Sequence, residues 1–186
     1  AVRALLFTGK IEEARRWRTL VKAEAMAGNE AATASEALVW PLLWLADAEE
    51  RKNDKTPLAT RFAAWRQAQE KVDAAAQRGR SALLATLIVS SGERPDPAII
   101  NALLPSTLTR EPAPMPNLGL WLGVGAALES GRVAETALFA IDMLGPEGAA
   151  GASPHTVALV LDALRAAGLD ADARALAIEA AIAAGL

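Results

Sequence analysis

Leu5-Leu6-Phe7-Thr8-Gly9-Lys10-Ile11-Glu12-Glu13-Ala14-Arg15-Arg16-Trp17 is a stretch in which one helix ends and the next begins within a few residues. Glycine takes the left-handed conformation at a helix C′ position at little cost, so Gly9 reads as the stop. Ala14, five residues on, is small enough to let two helix axes approach. Trp17, three further along the same helical face, is placed to fill the space between them. The same spacing recurs at Ala127/Gly131/Thr136/Phe139 and at Leu164/Gly168/Ala173/Leu176. Three copies of one corner predict helical hairpins, and the 37 residues between Gly131 and Gly168 lie in the range of helical repeats.

Other start and stop signals extend the pattern. Thr56-Pro57, Asp96-Pro97 and Ser153-Pro154 each set a capping side chain before a proline, and Asn117 and Asp170 are further N-cap candidates. Gly28 and Gly92 read as additional stops. Together they predict about ten helices, near 1–8, 10–27, 31–51, 57–78, 80–91, 97–104, 117–129, 132–144, 154–167 and 170–184. Leu58, Phe62, Trp65, Val72 and Ala76 form an apolar stripe on the fourth. Ser81–Val89 is apolar nearly all round and should be central; periodicity alone also admits a buried strand there. Pro41 should kink or split its helix after Trp40. Pro105, Pro112, Pro114 and Pro116 make 105–117 a semi-extended connector and the candidate boundary between 1–104 and 118–186 within one repeat domain.

Composition agrees. Hydrophobic residues are 52% of the 186, aromatics only 4%, and tyrosine is absent, so alanine and leucine supply the apolar content of an all-α protein. The net charge of −3 gives no global field to draw in nucleic acid. Residues 1–80 carry 14 Lys/Arg against 11 Asp/Glu, and residues 81–186 carry 5 against 11. Without cysteine there are no disulfides, thiol nucleophiles or thiolate metal sites. The longest apolar runs, 37–46 and 118–128, are too short to span a bilayer. The chain opens on helix-like Ala1-Val2-Arg3-Ala4-Leu5, with no basic leader, and reads as a piece of a longer protein.

The corner Gly9-Lys10-Ile11-Glu12-Glu13-Ala14 resembles the inter-helix turn of tetratricopeptide repeats, with a hydrophobic residue two after the glycine and alanine five after it. Gly131-Arg132-Val133 keeps the hydrophobic position but has Thr136 for the alanine; Gly168 and Ala173 match, while Asp170 replaces the hydrophobic residue. The family's large first-helix residues and its closing proline are missing. The resemblance covers about a third of the chain. It implies antiparallel hairpins stacked as an α-solenoid, with a concave face that holds a peptide or protein.

Residues able to carry chemistry are few. His155, two after Ser153, could act as a general base, but its place at a helix start reads as an exposed first-turn residue. One histidine without cysteine makes a zinc site improbable. Glu49/Glu50 and Asp170/Asp172 read as solvated or dipole-favoured carboxylates rather than a glycosidase pair. Gly119, Gly123 and Gly125 fit close helix packing, and Gly145–Gly151 fits a loop; neither has the form of a phosphate cradle. No catalytic, cofactor or metal residue is assigned. Trp40-Pro41-Leu42-Leu43-Trp44 reads as a buried anchor, or, if exposed, as an interface hot spot.

The basic stretch Lys10, Arg15, Arg16, Arg18 and Lys22 surrounds Trp17. Glu12 is placed to pair with Arg16. Arg15, Arg18 and Lys22 share one face and are the candidate partner contact, read first as a solvated face, then as a surface for an acidic peptide, and last for nucleic acid. The leading functional expectation is a non-catalytic helical-repeat domain for protein–protein interaction or assembly. Alternatives are a helical accessory domain of an enzyme whose active site lies elsewhere, and a weak nucleic-acid binder using the basic N-terminal face.

Overall fold

The computed structural model describes residues 1–104 and 116–186. Among the described residues there are eleven α-helices, one short 3-10 turn and no strand. These residues form two compact units: residues up to 104 together with 185–186, and residues 116–184. Most of the connector expected at 105–117, with Pro105, Pro112 and Pro114, lies outside the described residues; Asn117 is described and caps a helix, accepting from Gly119 N at 2.8 Å.

The first unit contains α1 (Val2–Phe7), α2 (Ile11–Met26), α3 (Glu30–Ala46), α4 (Ala48–Asn53), α5 (Leu58–Ala68), α6 (Ala74–Ser90) and α7 (Pro97–Leu103). Its centre is α3, which packs against α1, α2, α4, α5 and α6. Every residue from Trp40 to Asp47 is buried, so the Trp40–Trp44 cluster is core and its two rings sit 6.4 Å apart. Helix α3 runs through Pro41 and ends instead at Asp47. There Asp47 accepts from Glu49 N and Glu50 N, and those bonds start α4. The expected 31–51 helix is therefore two helices divided at Asp47.

The 57–78 and 80–91 expectations are redrawn in a similar way. Helix α5 stops at Ala68, Asp73 caps a new start through Ala75 N at 2.8 Å, and Gly79 lies inside α6. Phe62 and Trp65 keep their place in the apolar stripe, whereas Val72 falls in the turn and Ala76 on α6. The Ser81–Val89 run is central and helical, with Leu84 and Ile88 fully buried. Pro57 stands at the cap position of α5 rather than one residue inside it, and Asp170 is the first residue of its helix rather than its cap.

The second unit contains α8 (Leu118–Glu129), α9 (Val133–Leu144), α10 (Pro154–Ala166) and α11 (Asp170–Ala183), with the 3-10 turn at Gly148–Ala150 between α9 and α10. Each helix packs on the next, and α8 also meets α10.

The three corners read from the sequence are built alike. Gly9, Gly131 and Gly168 have φ of 72°, 67° and 79°, a region that costs any side chain strain. The N–H of the residue after each glycine reaches back to the first residue of the motif: Lys10 to Leu5 O at 2.8 Å, Arg132 to Ala127 O at 2.9 Å and Leu169 to Leu164 O at 2.8 Å. This is the six-to-one bond of a Schellman cap. Ala14, Thr136 and Ala173 are completely buried, as close axis approach requires. The large residue is less regular. Phe139 and Leu176 are half-buried, but Trp17 is 48% exposed, and the buried position falls one residue later, at Arg18, Ala140 and Ala177.

Candidate functional site

In the first unit, two of the three expected contact residues, Arg15 and Arg18, are held in a charged cluster. Arg18 is buried on α2, where two of the three hairpins have alanine at the corresponding place. A buried guanidinium must be paired, and its planar fork of five donors can serve several carboxylates. Its Nη1 donates to Glu50 of α4 and its Nη2 to Glu36 Oε1 of α3 at 3.1 Å. Glu36 also accepts from Arg61 Nη1 of α5, at 3.2 Å on each oxygen, and Arg61 Nε donates to Asp54 Oδ2 at 2.8 Å. Arg15 grips Asp47 with two donors, Nε and Nη2, the second at 2.6 Å, and gives Nη1 to Glu12 at 2.8 Å.

Burial by itself pushes the Asp54 carboxyl up. Hydrogen bonds from the Arg61 side chain and from the backbone and hydroxyl of Thr56, with the Arg61 charge, outweigh it and hold the group below its usual range. The hydrogen bond to Asp47 raises Arg15 further above its already high value, against a smaller opposing effect of desolvation.

Arg15, Arg18 and Lys22 thus do share a face of α2, lining a cleft of about 800 Å³ whose wall also includes Lys55 and Arg61. The solvated face expected from the sequence describes Lys22, which is exposed, and in part Arg15, whose side chain is 37% exposed; Arg18 is buried. Arg15 and Arg18 are engaged by carboxylates, and Glu12 pairs with Arg15 rather than Arg16. The partners of Arg18 are 18 and 32 residues away, so no local spacing could have exposed the cluster.

The remaining sequence candidates stay apart. His155 is exposed in the first turn of α10, and the Ser153 hydroxyl caps that helix through Thr156 N at 3.2 Å and contacts the Thr156 hydroxyl at 3.0 Å. Asp170 and Asp172 lie in the first turn of α11, where the helix dipole favours them. Among the described residues no group of three or more His, Asp or Glu side chains is placed to hold a metal ion, and no helix is long and apolar enough to cross a membrane.

The second unit presents a different feature, which the sequence reading missed. Helix α8 is almost wholly apolar yet buries only Val124 and Ala127. Leu118, Trp121 and Leu122 are 63%, 49% and 58% exposed; on α9, Leu138 and Ile141 are 67% and 62% exposed. Between α8 and α10, with Met143 of α9 in the lining, runs a groove of about 540 Å³. The expectation that α8 glycines serve close packing holds for Gly123, where a Cβ would lie 3.1 Å from the Phe139 ring. Gly125 differs: a Cβ there would meet nothing within 4 Å. Apolarity all around a helix normally signals burial, and that signal pointed inward for residues that face solvent.

No protein-family model matches the chain, and comparison with curated proteins and with solved structures returned no match.

Proposed function

We propose that this chain is a non-catalytic helical-repeat domain, its hairpins stacked in the manner of an α-solenoid, and that it mediates protein–protein interaction or assembly. The observation that carries the reading is the exposed apolar face of α8 and α9. Five large side chains, including a tryptophan, stand about half or more exposed, from 49% at Trp121 to 67% at Leu138, on two adjacent helices. Large apolar side chains left exposed in such number on neighbouring helices favour an interaction role, and tryptophan at an interface commonly supplies much of the binding energy. The α2 cluster favours a structural role for Arg15 and Arg18, since both are already held by carboxylates within the unit; that weakens the nucleic-acid alternative.

Photo-crosslinking tests the reading. A photoreactive residue at Leu122 or Ile141 of the intact protein, irradiated in its source cells, should capture a protein that the same residue at Arg174 on α11 does not. Equal labelling at all three positions, or none at the first two, would refute it.

A further inference from the structure

The groove between α8 and α10 has a chemistry that selects among protein partners, and this step rests on the interaction role proposed above. Trp121, Leu122 and Leu159 stand among its lining residues, together with the small residues Gly125, Ala126, Ala163 and Ala166. Small residues let a third helix axis come close. The lining spans Trp121 to Glu129 on α8, about 12 Å at the helical rise, which suits two to three turns of a partner helix.

Gly125 sharpens the point. Glycine in a helix interior is disfavoured against alanine, and here nothing inside the unit requires it, because a Cβ would enter open space. The missing side chain keeps the groove open. The charged residues in the lining are Glu129 and Asp162, both exposed and both acidic. Neither carboxylate forms a hydrogen bond or ion pair with a described residue. Residues 116–184 carry 8 Asp/Glu against 3 Lys/Arg, and Arg132, which donates to the carbonyl of the lining residue Ala126 at 3.3 Å, is itself paired with Glu135. Among the described residues no strand offers an edge for strand addition, and an apolar groove between two helices suits helix-in-groove docking.

We infer that this groove seats an amphipathic helix of a partner protein, with its apolar stripe over Gly125 and Ala126 and its lysine or arginine side chains against Glu129 and Asp162. Charge complementarity at the groove wall sets the choice of partner, and the apolar floor supplies the affinity.

The test titrates the intact protein with two labelled 14-residue model helices, one Leu/Lys and one Leu/Glu, followed by fluorescence anisotropy. The wild-type chain should bind the Leu/Lys helix about tenfold or more tightly than the Leu/Glu helix, the scale expected for close charge pairs. Glu129→Lys with Asp162→Lys should invert that preference, while Asp170→Lys with Asp172→Lys, on α11, should leave it in place. Gly125→Leu should weaken the Leu/Lys helix by about tenfold or more while Gly125→Ala raises Tm, which separates blockade from misfolding. Binding without charge preference, or a preference that shifts equally with the α11 pair, overturns the basic-helix assignment yet leaves the crosslinking result for α8 and α9 standing. A concentration-dependent dimer that Gly125→Leu abolishes would also overturn it, by identifying the occupant as a second copy.

Discussion

The α1–α2 hairpin and the two hairpins of the second unit share one corner and differ in what lies behind it. All three close with a left-handed glycine, the same six-to-one bond and a fully buried small residue. Nine residues after the glycine, the second unit has Ala140 and Ala177, and the first has Arg18. Alanine there simply lets helices touch. Arginine there has to be neutralised, and α3 and α4 supply Glu36 and Glu50 to do so. Backbone geometry at a corner is thus independent of the polarity of the interior it serves. The same turn can anchor an ion-pair cluster or an apolar contact.

The strongest way to break that comparison is Arg18→Ala, which would make the first hairpin resemble the others. It should destabilise the first unit by about 3 kcal/mol, the lower end for breaking a buried pair, since Glu50 remains partly solvated. Denaturant unfolding would measure it, and a loss near zero would mean that the ion pairs of Arg18 do no more than offset the cost of burying its charge. Enlarging the shared buried position comes next. Ala14→Leu and Ala173→Leu should each cost about 1–3 kcal/mol through overpacking, and a neutral result at either site would show that its helices do not meet there.

A smaller effect tests whether the corners are equivalent. Gly9→Ala, Gly131→Ala and Gly168→Ala have open space around the new methyl group, so each should lose only the left-handed backbone cost, about 1 kcal/mol. Gly168→Val should lose more, because β-branching resists positive φ. Unequal losses among the three alanine variants would separate corners that the hydrogen bonds make look alike.

The smallest effect is a pH dependence confined to the first unit. Asp54 is held below its ordinary value of 3.8, so its stabilising contribution is present above that pH and disappears as pH falls through the lower folded value. The Tm difference between wild type and Asp54→Asn should therefore be constant near neutrality and shrink below about pH 4. A difference that grew on acidification would reverse the sign of the assignment.

Local chemistry made much of the architecture legible. Asp96, Asn117 and Ser153 cap as their spacing predicts, and Gly9, Gly28, Gly92, Gly131 and Gly168 all have positive φ. Misreadings came where two local signals competed. Pro41 favours an interruption of α3, but the bonds Asp47 accepts from Glu49 N and Glu50 N divide the chain instead; the expected 57–78 helix ends at Ala68, and the next starts at Ala74 rather than at 80. Of the candidate site, the shared face of Arg15, Arg18 and Lys22 follows from helical spacing. Which of them is free does not, because the carboxylates that engage two of them come from other helices.

By its sequence alone, then, the chain determined an all-helical fold and the three glycine corners, since helix propensity, capping and positive φ act over a few residues. Tertiary structure decided that Arg18 is buried while Lys22 is exposed, and that α8, with the more continuous apolar character, turns much of it to solvent. Exposure depends on which neighbours a helix acquires, and that is a property of contacts made across long stretches of chain.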